Sequence, residues 1–391
     1  MPLNTPFVTI RREPTIKTDR RAVNGVLPRP EGVARYSLAG TLAPAARHAA
    51  ASLLPPAERE RLLRVAGLLP AVLTRAAYLE CRLGAVGGPV DLIFRVEQAG
   101  AEILAGRNPR VDPAPLLGHG PAWAAVGALC RAWVEGAAPH WRAVQHLWLE
   151  LDLDDAPGDG RLPAPSVFVA LDERVTVGGT AGAAGELLEA VLAPLRPGGM
   201  DPATRTRLQE VLSRRPPAAA VPYVGVMLSR SRAPIRLYLS RICAEGIPAT
   251  LHDVGWAEGA VAEMEETVEA IRTPDGPRIG MLHVDLLDGA LLPRLGLEFT
   301  FRRRPQLRGR MVEGPFLDRL VERGLAAPER RAALDAWPGG ERRTLRHELW
   351  PSWLLRRVNC VKLVLDAEAE PQAKAYLLAF HQPALRRGPA Q

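Results

Sequence analysis

Apolar and polar residues alternate with a period of two in a series of short windows, and between these windows apolar residues recur every three to four positions. The first pattern predicts strands with one face against a core, the second amphipathic helices. The sharpest alternation spans Val358–His381, which predicts two strands joined by an acidic turn at Ala367–Pro371. Val361, Leu363 and Leu365 share one face of its first strand, and Cys360, Lys362 and Val364 the other. On its second strand Ala373, Ala375, Leu377 and Ala379 oppose Lys374, Tyr376, Leu378 and Phe380. Two lysines and a tyrosine thus project from one surface of one hairpin.

Four further hairpins are predicted upstream. In H-L-W-L-E-L-D-L, Leu147, Leu149, Leu151 and Leu153 oppose His146, Trp148, Glu150 and Asp152, and the return strand S-V-F-V-A-L carries Phe168. Y-V-G-V-M-L-S and I-R-L-Y-L-S form the third, with Arg236, Tyr238 and Ser240 on one face. I-G-M-L-H-V-D-L and L-G-L-E-F-T-F-R form the fourth, presenting His283 and Asp285, then Glu298, Thr300 and Arg302. The most weakly patterned lies in V-D-L-I-F-R-V-E-Q-A-G-A-E-I-L-A-G, where a turn near Ala99–Gly100 is expected and Asp91, Ile93, Arg95 and Glu97 share a face.

Helical spacing runs from about Ala45 to Leu83, broken by prolines, and again over Pro121–Glu135, Ala181–Leu195, Pro202–Arg214, Gly259–Ile271, Pro315–Arg323 and Pro328–Trp337. Asp201 suits an N-cap, since its side chain can accept from the first free backbone N–H groups. Residues 1–40 are polar and aperiodic and are expected to form an N-terminal arm; 41–391 are expected to form one domain. Ten sequential strands imply an antiparallel sheet, and the helices are its natural cover. The expected fold class is therefore α+β, ten antiparallel strands surrounded by helices, open to closure as a β-barrel. Closure removes the sheet edges, and a ten-stranded barrel leaves a lumen lined by the polar faces.

Composition changes this picture little. The net charge of +7 is carried almost wholly by arginine, yet no nucleic-acid module accompanies it. No window is long and apolar enough for a membrane span, and the first residues lack the apolar core of a signal peptide. The scattered Cys81, Cys130, Cys243 and Cys360 predict reduced thiols, and a cytoplasmic location is expected. An ordinary solvated sheet face would expose Trp148, Phe168, Met227, Tyr238, Met281, Tyr376 and Phe380 together, a patch that itself demands a partner.

The pattern resembles the ABBA-fold, or PT-barrel, aromatic prenyltransferases over about Ala45–His381, which implies a ten-stranded antiparallel β-barrel surrounded by α-helices in five α-β-β-α units. In that family a Lys or Arg followed two residues later by Tyr on lumen-facing strands binds and shields an allylic diphosphate. The matching segments are I-R-L-Y-L-S and A-K-A-Y-L-L; V-K-L-V-L keeps the cation but has Val364 in place of the tyrosine. The resemblance implies transfer of an allylic prenyl group from its diphosphate to an aromatic small molecule or peptide side chain, in bacterial natural-product tailoring. Such chemistry needs cations around the leaving diphosphate, which Arg95, Arg236, Lys362, Lys374 and, at the rim, Arg302 can supply. It needs π faces around the allylic cation, for which Trp148, Tyr238, Tyr376, Phe168 and Phe380 are candidates. It also needs a group to orient the acceptor and take its proton, from among Glu150, His283, Asp285 and Glu298.

Glu150 is the candidate for the family's acceptor-orienting glutamate, while His283 and Asp285 are expected to hydrogen-bond each other. No cofactor is expected to be required; Mg²⁺ could accompany a diphosphate, but no D-D-x-x-D motif is present. The alternative is a non-prenylating barrel that binds a peptide or small ligand as a tailoring partner. Only the enzyme predicts cations clustered at one end of the lumen with aromatic rings beneath.

Overall fold

The computed structural model describes residues 36–84, 88–155, 160–256, 258–307, 311–345 and 351–384. Its strands are β1 (Ala76–Arg82), β2 (Val90–Val96), β3 (Val144–Leu151), β4 (Pro165–Leu171), β5 (Ala220–Val226), β6 (Ile235–Ser240), β7 (Arg278–Leu287), β8 (Ala290–Thr300), β9 (Gly339–Arg343), β10 (Ser352–Asp366) and β11 (Ala369–Pro383). Neighbours pair in sequence order, except that β8 pairs with β10 while β9 flanks the start of β10. Every pairing is antiparallel, and β11 pairs with both β10 and β1, so ten strands close into a barrel.

Registration follows from the apolar face. Leu79 stands opposite Leu92 and Leu377, Leu149 opposite Phe94 and Val167, Leu237 opposite Val224 and Val284, and Leu297 opposite Leu282 and Leu363. All are buried in one continuous core between barrel and helices. A one-residue slip in any strand would turn this belt into the lumen, which is why the register is firmly specified.

Helices occupy Pro121–Glu135, Ala181–Leu192, Pro202–Arg214, Glu258–Ile271, Gly314–Glu322 and Pro328–Ala336, within a residue or so of the predicted spans apart from a 3₁₀ turn after Leu192. Asp201 caps its helix by accepting from the Thr204 N–H at 2.8 Å. Among the described residues no helix is long and apolar enough to cross a membrane.

The first hairpin differs from its expectation. The helical run ends at Gly67, and 76–82 is strand β1 rather than helix. Alternation there was hidden because Ala76 and Tyr78, on the lumen side, are themselves apolar. The hairpin is β1–β2, and the expected return strand after Gly100 is instead a helix, Gln98–Leu104, in which Ala101, Ile103 and Leu104 are buried at helical spacing. The turn between β10 and β11 is also tighter than expected, since β11 begins at Ala369. Of the expected arm, residues 1–35 lie outside the described residues, and a helix already begins at Leu38.

Two glycines on the lumen face make room for rings lying across the neighbouring strand. A Cβ on Gly225 would stand 2.3 Å from Phe168 Cδ1 and 2.7 Å from the Val167 carbonyl oxygen; one on Gly296 would stand 1.7 Å from His283 Nε2. Gly225→Ala should therefore destabilise the barrel by about 1–3 kcal/mol, the usual cost of overpacking. Urea unfolding measures this, and an unchanged midpoint would mean that the Phe168 ring is not held against β5.

Candidate active site

All five hairpin turns of the barrel lie at one end, because each hairpin enters and leaves from the other. At the turn end a cavity of about 460 Å³ opens among Glu80, Asp91, Glu150, Arg236, Lys362 and Lys374, with Arg82, Arg230, His283 and Arg294 also on its wall. Strand parity places these residues. Glu80 and Arg82 share the inward face of β1, and Arg294 lies two and four residues before Gly296 and Glu298 on the inward face of β8.

Charged groups this deep survive only if neutralised by close partners. Arg236 holds Asp285 in a two-pronged contact, Nε to Oδ1 at 2.6 Å and Nη2 to Oδ2 at 2.7 Å. Glu80, 1 % exposed, accepts from Lys374 Nζ at one oxygen, and its other oxygen lies 3.5 Å from Lys362 Nζ. Burial alone would keep Glu80 protonated, but Lys362 and Lys374 outweigh it and hold the carboxyl well below its ordinary range.

Asp285 is likewise held low by Arg236, but three other carboxyls on this face, Asp91, Glu150 and Glu298, are in the opposite condition. Burial, reinforced by the charges of Glu80 and Glu150, pushes Asp91 up to about 8. Burial pushes Glu298 up to about 7 against the pull of Lys362, and burial and Glu80 also raise Glu150. Burial and the nearby Arg236 and Lys362 cations hold His283 neutral. At neutral pH the lumen therefore contains one firmly ionised, lysine-bound glutamate and a set of carboxyls poised to be neutral.

Beneath the cations lies an aromatic layer. Lys362 Nζ stands 5.0 Å from the centre of the Tyr376 ring. Tyr238 packs edge-on against Phe168 at 5.8 Å and Tyr223 at 5.7 Å, and Tyr78 lies 5.0 Å from Trp148 and 6.2 Å from Tyr376. Four of the chain's five tyrosines thus line the lumen. Burial raises the phenols of Tyr238 and Tyr376 well above their ordinary range, so they present neutral rings.

Of the residues singled out from sequence, Arg236, Lys362, Lys374, Glu150 and His283 line the cavity, and Tyr238, Tyr376, Trp148 and Phe168 lie in the aromatic layer below it. Glu298 is buried at the level of Lys362, its cross-strand neighbour. Three do not join them. Arg95 sits at the opposite barrel end, pairing with Glu97 and lying 6.0 Å from the Trp148 ring. Phe380 is at that end too, 5.5 Å from Arg357. Arg302 is exposed and donates to the Asp275 carbonyl. The expected His283–Asp285 hydrogen bond is also absent, because Asp285 is committed to Arg236, and Nε2 of His283 has no partner among the described residues.

Glu80, Arg82, Arg294, Tyr78 and Tyr223 were missed. The first hairpin carries a lumen-facing glutamate of its own, Glu80, which was lost with strand β1. One signal was available: the chain has only three lysines, Lys17, Lys362 and Lys374, and arginine elsewhere. Two of the three meet at Glu80.

The raised carboxyls fix the sign of a pH dependence. Between the ordinary carboxyl range and their folded values the folded protein holds protons that the unfolded chain releases, so raising the pH through that window costs stability. Buried His283 works the other way up to its ordinary value of about 6.5, so the ligand-free protein should lose thermal stability most clearly from about pH 6.5 to about pH 8, and Asp91→Asn should flatten the decline. Melting curves across this range test it; a melting temperature that rises with pH would place Asp91 and Glu298 in a different electrostatic setting.

No family sequence model matches the chain, and no curated protein matches it in sequence. In structure it is similar to 5-dimethylallyl tryptophan synthase from Streptomyces coelicolor in complex with DMASPP and Trp, at 19% identity and TM-score 0.49, covering 90% of this chain and 96% of that one. It is similar also to the prenyltransferase PriB in its apo form, at 16% identity and TM-score 0.47 over 87% and 94% of the two chains. For AnaPT from Neosartorya fischeri the figures are 13% and 0.44, over 90% and 93%. What the strand order itself establishes is the architecture: ten antiparallel strands in sequence order, closed and wrapped by helices.

Proposed function

We propose that the protein transfers an allylic prenyl group from its diphosphate to an aromatic acceptor, a small molecule or an aromatic side chain of a peptide. The observation that carries this reading is the vertical order of the lumen: buried cations at the turn end, with the Tyr376 ring 5.0 Å from Lys362 directly beneath. An ion-pair network serving only stability has no need of π faces below it.

In this reading the diphosphate is held by Lys362, Lys374, Arg236 and Arg294. As the allylic C–O bond ionises, both bonding electrons leave with the diphosphate, whose growing charge these cations stabilise. The allylic cation is left over Tyr376 and Tyr238, whose neutral rings attract it through their quadrupoles and shield it from water. The aromatic carbon attacks, a C–C bond forms, and the ring proton then leaves to a base. Glu80 is the better candidate for that base and for orienting the acceptor, because it is held ionised, whereas Glu150 is raised towards neutrality. A cavity of about 460 Å³ falls in the range of small-molecule pockets, about 300–1,000 Å³.

Calorimetry with dimethylallyl, geranyl and farnesyl diphosphates, paired with turnover on aromatic acceptors, tests the reading. Lys374→Ala should weaken diphosphate binding and lower turnover by about 10²–10³-fold, the usual loss for one charge-stabilising donor. Glu80→Gln should cut turnover comparably but leave diphosphate binding as tight or tighter, since it frees both lysines. Because side-chain cations surround the donor, EDTA should leave the rate unchanged. No binding of any allylic diphosphate by the wild-type protein would overturn the assignment and leave a barrel that binds a different ligand.

A further inference from the structure

Charge in the cavity is divided by strand. The cations come from the arc formed by the β5–β6 turn and strands β6, β8, β10 and β11, as Arg230, Arg236, Arg294, Lys362 and Lys374; Arg82 is the exception. The acids that line it come from the adjoining arc, β1 to β3 and the turn beyond it. Three acids in and around the cavity already have cationic partners: Glu80 has the two lysines, Asp154 has Arg61 at 3.1 Å, and Asp285, behind the wall, has Arg236.

Among the described residues, Asp91, Glu150 and Asp152 have none. Glu150 is 7 % exposed, lines the cavity, and makes no hydrogen bond or ion pair among the described residues. Asp91 is 5 % exposed and accepts only the Leu153 backbone N–H, at 3.2 Å. Asp152, half-buried, completes the arc on the same face as Glu150. The opposite wall carries the unpartnered Nε2 of the buried His283. A buried carboxyl with no partner is costly, and Glu150, flanked by Asp91 and Asp152 on the same cavity, describes a surface awaiting a donor of opposite charge. The raised protonation of Asp91 and Glu150 agrees with that lack of a counter-cation.

Building on the donor reading above, we infer that the arc of Asp91, Glu150 and Asp152 binds a protonated amine or guanidinium carried by the acceptor. Substrates are then aromatic compounds with a cationic side arm. The diphosphate lies against the basic arc, the side arm against the acidic one, and the aromatic ring is fixed between them above the tyrosines.

The test is calorimetry with three probes that differ only in the side arm: tryptamine (cationic), 3-ethylindole (neutral) and indole-3-propionate (anionic). Each is titrated with and without saturating dimethylallyl thiolodiphosphate. Tryptamine should bind about tenfold or more tightly than 3-ethylindole, the worth of a hydrogen bond to a charged group, and indole-3-propionate should bind most weakly. Glu150→Gln and Asp152→Asn should each reduce that preference several-fold while leaving thiolodiphosphate affinity unchanged. Equal binding of tryptamine and 3-ethylindole by the wild-type protein, or a preference that survives both substitutions, would overturn the inference. Should the thiolodiphosphate fail to bind while the amine preference holds, the donor reading falls and the cation subsite stands. Should the thiolodiphosphate bind without an amine preference, the cation subsite falls and the donor reading stands.

Discussion

Closing the sheet turns its polar face inward, and every charge on that face must then find a partner in a space with little water. The bond between Glu80 and the two lysines is where this constraint is met most sharply, because it lies at the seam. Strand β1 meets β11 there, with Glu80 opposite Tyr376 and Arg82 opposite Lys374. An unpaired glutamate at that seam would destabilise the closure, and unpaired lysines on β10 and β11 would do the same. Barrel closure and the candidate donor site therefore share the same three side chains.

That sharing gives the site its particular character. The lysines are held in place before any ligand arrives, which reduces the ordering needed on binding. They are also partly spoken for, so an incoming anion has to compete with Glu80. Arg236 is committed likewise to Asp285 by two hydrogen bonds, while its neighbour across the lumen, Glu150, has none among the described residues. The lumen is thus not uniformly cationic. It has a basic arc whose charges are tempered by two acids, and beside it Asp91, Glu150 and Asp152, which have no cationic partner among the described residues.

Much of the fold was legible because the apolar faces of β3, β6, β8, β10 and β11 alternate cleanly; Leu147, Leu149, Leu237, Leu297 and Leu363 have no other place to go than against the helices. Strand β1 was not legible, since Ala76 and Tyr78 make its lumen side as apolar as its outer side, and the period of two disappears. With β1 went Glu80, the residue on which the seam depends. Arg294 was hidden for a different reason: β8 begins earlier than its alternation suggests, after a turn in which Asp288 and Gly289 both have positive φ. An Asp-Gly pair between apolar runs is a strong signal for such a turn and would have extended the strand back to include it. Arg95 and Phe380 were correctly placed on inward faces, but parity says nothing about height along the barrel, and both lie at the wrong end.

The central claim is that the turn end of the lumen receives the diphosphate of an allylic donor and the layer beneath receives its hydrocarbon. A crystal structure of the protein with dimethylallyl thiolodiphosphate tests it most directly. The account predicts phosphate oxygens within hydrogen-bonding reach of Lys362, Lys374 and Arg236, with the five-carbon chain against the rings of Tyr376 and Tyr238. Phosphate density outside the barrel, or a thiolodiphosphate lying along the Asp91–Glu150 wall, would contradict it.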